Sequence, residues 1–387
     1  MIHPFRDRTA IAGVGSTPYS KNSGVGTLTL ALRAITAAVA DAGLSVSDVD
    51  GLACHRIGDS VPLSVVGQSL GLRDLNYYCD AYGGGSTSHS IIGQAAMAVA
   101  TGQAEVVVCW RAINARSGDR MGGTGQPQPD GLEFQYLVPY GYGVPPQQFA
   151  MVARAYMSRF GLTAEDLGAV AIAQRWYAQR NERAMMRTPL TMDDYLAGRP
   201  IVDPFRVYDC CLETDAAVAV VVTSAERARD LAHVPVTISG AVWGSGQTLF
   251  SNQRPQIYDT AARQSSTRLW NRSGLGPEDV DVAELYDAFT PLVLMQLEEY
   301  GFCQRGEAAA FVRGGHTRPD GRLPVNTHGG HLSAGYVHGL NHLMEAVEQL
   351  RGISGDRQVD GAEVALSTGQ MGISAGVTSA VVLRRQT

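Results

Sequence analysis

"GLSVSDVDGL" (residues 43–52) returns as "GLGPEDVDVAEL" (274–285), with Gly43 over Gly274 and Val49 over Val280, an offset of 231. Each copy carries a glycine suited to stopping a helix, a short polar turn and the start of an apolar strand. The echo extends further. "TGQAEVVV" (101–108) resembles "DGAEVALS" (360–367), and "DAAVAVVV" (215–222) resembles "AGVTSAVVL" (375–383). One repeat with a period near half the chain is an internal duplication into two similar subdomains, not a solenoid. Each half reads as helix, strand, helix, strand, strand.

The strands are continuous apolar runs, as in "TAIAGVG" (9–15), and helices such as 28–43 and 86–101 lie between them. That alternation implies α/β layers around largely parallel sheet. The sequence 118–148, rich in Gly, Pro and Gln, breaks the pattern and predicts a long excursion. Two helices are expected after it, the second opening at Thr163 with Asp166 three residues on, a capping box. At 45% hydrophobic and 18% charged, 387 residues can bury a sizeable core. A net charge of −6 offers no electrostatic footprint for nucleic acid or an anionic membrane. The opening "MIHPFRDRTAIAGVG" lacks the apolar core of a signal peptide, no run has the length of a membrane span, and the six cysteines include no CxxC pair. A cytoplasmic, reduced protein is expected.

Chemistry is expected where glycine-rich loops enter helices. The first half has "AYGGGSTSHS" (81–90) and the second "VNTHGGHLSAGYVHG" (325–339), while "AELYDAFTP" (283–291) is a strand running into a helix. In a duplicated α/β fold both helix N-termini can face one crevice, and their free N–H groups suit a developing oxyanion. His338 and His342 are spaced i,i+4, with His328 and His331 upstream, but no HExxH accompanies them, so no metal is expected. Ser86 has no G-x-S-x-G setting. Arg175, Arg180, Arg183 and Arg187 suit phosphates or a solvated helix face.

These segments resemble the thiolase superfamily, most closely its sterol-carrier (lipid-transfer) branch, over nearly the whole chain. The resemblance implies a thiolase fold: α/β, two duplicated halves (1–230 and 231–387) stacked as α-β-α-β-α layers, with a loop domain inserted at about 111–203. It also exposes departures. The nucleophilic cysteine of thiolases falls on Gly85, the Asn or His of their Asn-Glu-Ala-Phe or His-Asp-Cys-Phe block on Tyr286, the histidine of Gly-His-Pro on Tyr336, and the second cysteine near Leu366. Acyl transfer through cysteine is thereby excluded.

The "LYDAFTP" and "NTHGGHLSAGYVHG" blocks are similar to those of steroid side-chain-cleaving aldolases in the same branch. That similarity implies retro-aldol cleavage of a β-hydroxyacyl-CoA, in the family a 17-hydroxy steroid with a three-carbon acyl-CoA side chain, to a 17-ketosteroid and propionyl-CoA. Tyr286 and Tyr336 would be acid and base in an order left open, with His338 orienting or polarising a tyrosine. Gly85 and Gly369 would supply oxyanion N–H groups, and Asp287, His328 and His331 would stand at the substrate. No cofactor is implied beyond the CoA of the substrate. The implied partners are a second copy, through the edge strand near Asn76 to Asp80, and a small zinc-ribbon/OB-fold protein. The competing expectation is a non-catalytic acyl-CoA-binding or scaffolding subunit.

Overall fold

The computed structural model describes residues 3, 5–118, 120, 132–246, 254–370 and 376–386. Residues 119 and 121–131 of the excursion, and 371–375 after Gln370, lie outside them. The strands are β1 (Thr9–Ser16), β2 (Gly51–Arg56), β3 (Tyr77–Tyr82), β4 (Val106–Asn114), β5 (Asp215–Ser224), β6 (Val236–Ser245), β7 (Val282–Glu284), β8 (Val364–Gln370) and β9 (Val377–Arg385). They form one sheet in the order β3-β2-β4-β5-β1-β6-β9-β8-β7, and a separate two-stranded ribbon pairs Pro200–Val202 with Phe205–Arg206. In the first half β2 runs parallel to β3 and β4, and β5 antiparallel to β4 and β1. The second half repeats this: β7 is parallel to β8, and β9 antiparallel to β8 and β6. The counterpart of β3 is reduced to a single parallel bridge between Ala283 and Val325. Within the sheet the halves join where β1 pairs with β6, at Ala10–Thr237 and Ile11–Val236.

Helices α1 (Thr27–Asp41), α2 (Gly85–Ala100), α3 (Pro145–Phe160), α4 (Ala164–Ala178), α5 (Ala262–Ser273), α6 (Thr290–Glu299) and α7 (Leu340–Arg351) complete the layers. The outer helices are α1, on the strands of the first half, and α5, on β6 and β9. Between the halves lie α2, which touches β2, β4 and β5 on one side and β6, β8 and β9 on the other, and α7, which reaches β1 and β5 as well as β7 to β9. The result is the expected α-β-α-β-α stack. It explains why β5, "DAAVAVVVTS", shows no alternation: both faces are covered, and all but its last residue is buried. It also explains the small residues of α2. A Cβ on Gly93 would lie 2.3 Å from the Trp243 ring of β6. All of α7 is buried, its polar residues Asn341, His342, Glu345, Glu348 and Gln349 included, so these must find partners inside the protein.

The repeated sequence is repeated structure. Gly43 and Gly274 both take the left-handed conformation, at φ 73° and 71°, after α1 and α5. Asp50 then accepts from the N–H groups of Glu105 and Val106, and Asp281, at the same offset, from those of Glu363 and Val364 at 2.8 and 2.9 Å. Each aspartate ties the loop before one strand to the start of its parallel neighbour. Asp281→Ala removes both acceptors at once and is expected to destabilise the fold by about 1–3 kcal/mol, read as a lower urea midpoint at unchanged slope.

The inserted helices form as the sequence predicts. At Thr163 the backbone N–H donates to Asp166 Oδ2 at 2.8 Å to open α4. This helix packs on α6 and on the π-helical turn Gly330–Ala334, which carries the insertion onto the second-half loop. No helix among the described residues is long and apolar enough to cross a membrane.

Candidate active site

Tyr286 sits between the end of β7 and the start of α6, and Tyr336 follows the Gly330–Ala334 turn. Their phenol oxygens meet at 2.7 Å, with the residues 3% and 8% exposed. A threonine fixes each backbone: Thr368 Oγ1 accepts from Tyr286 N–H at 2.9 Å, and Thr214 Oγ1 accepts from Tyr336 N–H at 3.0 Å. Gln296 adds a donor to the Tyr286 carbonyl at 2.7 Å. Burial, opposed by the bond from Tyr336, pushes the Tyr286 phenol well above its ordinary pKa. Burial and the neighbouring Tyr286 do the same to Tyr336.

The pair lies against Gly85, the first residue of α2. A Cβ there would stand 2.3 Å from Tyr286 Cζ and Oη and 2.4 Å from the Gln370 carbonyl. The space of the missing side chain is thus occupied by the Tyr286 phenol. Gly369 is brought to the same place: its Cβ would fall 2.4 Å from the Gly85 carbonyl. Beneath them Ser88 Oγ donates to the Gly85 carbonyl at 2.8 Å, and His89 bridges Ser88 at 2.9 Å and Ser367 at 2.7 Å. His89 is therefore a brace for the loop.

His331 supports the tyrosines from below, its ring edge-on to both at 4.9 and 4.7 Å. Its Nε2 donates to Asn341 Oδ1 at 3.2 Å, and Asn341 Nδ2 donates to His328 Nε2 at 3.1 Å. His328 Nδ1 donates to Glu284 at 2.9 Å. Glu284, pushed up to about 8 by burial and by nearby Glu345, also accepts from Thr327. Asp287 accepts from the N–H groups of His331 and Leu332 and from His342 Nε2 at 2.9 Å. Burial alone would raise its pKa, but His331 and His342 outweigh it and hold the carboxyl well below the usual range.

Asp287 and His328 were expected at the substrate. Their polar atoms are instead engaged by protein groups, and both residues are at most 3% exposed. Among the described residues they meet the tyrosine pair through His331. The donor atoms of Glu284, His328 and His342, and of Asp287, His331 and His342, come within 4.8 Å of one another. The hydrogen bonds just described bring all of these residues together. The four arginines of 175–187 do not converge on a phosphate site. Arg175 bonds Ser333 Oγ at 2.9 Å, Arg180 stacks on Trp176 at 3.5 Å, Arg183 pairs with Glu348, and Arg187 reaches the Gln179 carbonyl.

His338 packs against the Tyr336 ring at 4.7 Å. Its Nδ1 instead takes a hydrogen bond from Arg111 Nε at 3.1 Å, and Arg111 Nη2 pairs with Asp59. Arg111, Asp59 and a nearby histidine, His55, escaped the sequence reading. The available signal was "VVVCWRAIN" (106–114), an apolar strand holding one arginine, which is costly to bury unless paired.

Residues 244–385 match the family described as "Thiolase C-terminal domain-like". The steroid side-chain-cleaving aldolase of Thermomonospora curvata is 45% identical over 370 residues, covering 93% of this chain and 94% of that one. The 17-hydroxy-3-oxo-4-pregnene-20-carboxyl-CoA lyase of Mycobacterium tuberculosis is 44% identical over 386 residues, covering 97% and 99%. A solved structure named "Ltp2-ChsH2(DUF35) aldolase" superposes with a TM-score of 0.92 at 44% identity, covering 98% of each chain.

Proposed function

The chain belongs to the thiolase superfamily, alongside the steroid side-chain-cleaving aldolases, and from that footing we propose that it is a carbon–carbon lyase acting by retro-aldol cleavage of a β-hydroxyacyl-CoA. The substrate is a 17-hydroxy steroid bearing a three-carbon acyl-CoA side chain, and the products are a 17-ketosteroid and propionyl-CoA. The observation that carries this reading is the phenol pair, Tyr286 Oη to Tyr336 Oη at 2.7 Å, seated against Gly85, onto which the resemblance to thiolases places their nucleophile.

The hydroxyl proton leaves as the carbon–oxygen double bond forms. The electrons of the breaking carbon–carbon bond pass into the thioester, which takes on enolate character, and the α-carbon takes up a proton in the same step. One proton is taken and one returned, so no net acid or base is consumed. Burial raises both phenol pKa values, so a standing tyrosinate is unfavourable. A relay avoids it: one tyrosine receives the hydroxyl proton as the other delivers its own to carbon. The pair serves as base and acid jointly. Gly85 and Gly369 supply backbone N–H groups to the enolate oxygen at the N-terminus of α2. His338 is the third catalytic residue, and His331, Asp287 and His328 hold the tyrosines toward the substrate. The reaction runs without a metal or other cofactor.

The working protein is a cytoplasmic homodimer pairing through β3, whose Tyr78 and Tyr82 are 73% and 82% exposed. A small zinc-ribbon/OB-fold protein joins it, a reading supported by the two names in the aldolase structure above. The halves divide at 230/231, with the loop domain at about 111–203. The test is direct. The purified chain, alone and with a co-encoded OB-fold protein, is incubated with the 17-hydroxy steroid acyl-CoA, and mass spectrometry follows both products. Binding without products in the presence of the partner would favour a scaffold.

A further inference from the structure

Arg111 lies in the middle of β4 and is fully buried. Its guanidinium has three protein contacts: Asp59 at Nη2, the Ala112 carbonyl at Nη1 at 3.2 Å, and His338 Nδ1 at Nε at 3.1 Å. An arginine donates and never accepts. His338 Nδ1 must therefore be the unprotonated nitrogen, and the one ring proton sits on Nε2. A second proton would have to face the guanidinium. Burial, and then Arg111, hold the His338 pKa well below its ordinary value.

Three further observations bear on that Nε2–H. It is buried and has no hydrogen-bond partner among the described residues. It lies beside the loop that opens α2, where a Cβ on Gly84 would be 3.8 Å away. The residue that carries it is held at φ 52°, an uncommon conformation for a side chain other than glycine. The surroundings therefore hold in place a donor that leaving unbonded makes costly. His55, from β2, secures the facing loop. Its Nδ1 donates to the Gly83 carbonyl at 3.1 Å, and its ring stands edge-on to His338 at 5.6 Å. The backbone donors at the start of α2 and the imidazole N–H thus meet at one place, beside the tyrosine pair. A group that gains negative charge on oxygen fits there.

We propose that Arg111, braced by Asp59, is a positioning residue that locks His338 as the neutral Nε2–H tautomer, and that this N–H donates to the thioester oxygen as it becomes the enolate oxygen. The assignment rests on the retro-aldol reading above. It changes the part played by His338: the residue acts on the thioester and not on a tyrosine.

The test joins a spectroscopic readout to kinetics. In the wild-type chain, nitrogen-15 NMR of the imidazoles should show His338 protonated at Nε2 alone. Arg111→Met should mix or reverse that tautomer and lower kcat about 100-fold, the effect of losing one oxyanion donor, with KM little changed. Arg111→Lys, which keeps a donor, should recover the tautomer and part of the rate. Because a buried arginine is hard to remove without harm, Asp59→Asn is the second variant. It keeps the donor and loses only the brace, and should cost about tenfold with its melting transition intact. A wild-type chain that cleaves while Arg111→Met retains kcat overturns this inference alone, as does a His338 tautomer that Arg111→Met leaves unchanged. A wild-type chain that cleaves no steroid acyl-CoA removes both this assignment and the reaction on which it rests.

Discussion

Tyr336→Phe is expected to lower kcat for carbon–carbon cleavage by about 10²–10⁴-fold, the range for removing a general acid or base, while acyl-CoA binding survives. The phenyl ring would keep its contacts with His331 and His338, whose ring centres both lie 4.7 Å away. What disappears is one oxygen of the pair. The Tyr286 phenol then has no partner to pass its proton to, and the relay stops. Tyr286→Phe should have a similar effect. The double variant should lose little more than either single one, because residues that act as one unit are not additive. Single-turnover mass spectrometry with a separate binding titration measures both quantities. Cleavage within a few-fold of wild type in either variant would mean that the phenol pair is not the proton relay.

Gly85→Ala is expected to cost as much, for a steric reason. The added Cβ meets Tyr286 Cζ and Oη at 2.3 Å and the Gln370 carbonyl at 2.4 Å. The carbonyl is backbone of β8 whereas the phenol ends a side chain, so it is the phenol that is expected to leave its place beside Tyr336. The expected result is loss of turnover together with about 1–3 kcal/mol of overpacking, seen as a lower melting temperature. Gly85→Cys would put back the atom that thiolases use, yet it should give neither lyase nor acyl transfer, because the thiol and Tyr286 need the same volume. Intact-mass spectra should show no acyl adduct. A fully active, fully stable Gly85→Ala would show that Tyr286 lies elsewhere.

Most of the layering was legible in the sequence because it rests on local signals. Runs with no alternation mark strands covered on both faces, Thr163 with Asp166 marks the start of α4, and the offset of 231 marks the two halves down to the Asp50 and Asp281 staples. Gly85 was expected, from the resemblance, where thiolases carry a cysteine; that a phenol fills the room beside it was not legible. Tyr286 and Tyr336 are 50 residues apart, and only the resemblance to known aldolases joined them. The chain Asp59–Arg111–His338 was not legible. Arg111 and His338 are 227 positions apart and come from different halves, so no periodicity connects them. The buried network around Asp287 was not legible for the same reason. A histidine-rich loop looks alike in sequence whether its rings face a ligand or each other.

The reduction of the second-half counterpart of β3 to one bridge has a consequence for how copies of this chain add to one another. A full six-residue strand edge is presented by the first half, whereas the far end of the sheet stops at the three-residue β7 beside the 325 segment. A sheet that can be extended at one end only is capped once two copies meet edge to edge by a two-fold axis, because each has then used the edge it had. Growth into a fibre requires a second competent edge, and the asymmetry between the two duplicated halves withholds it.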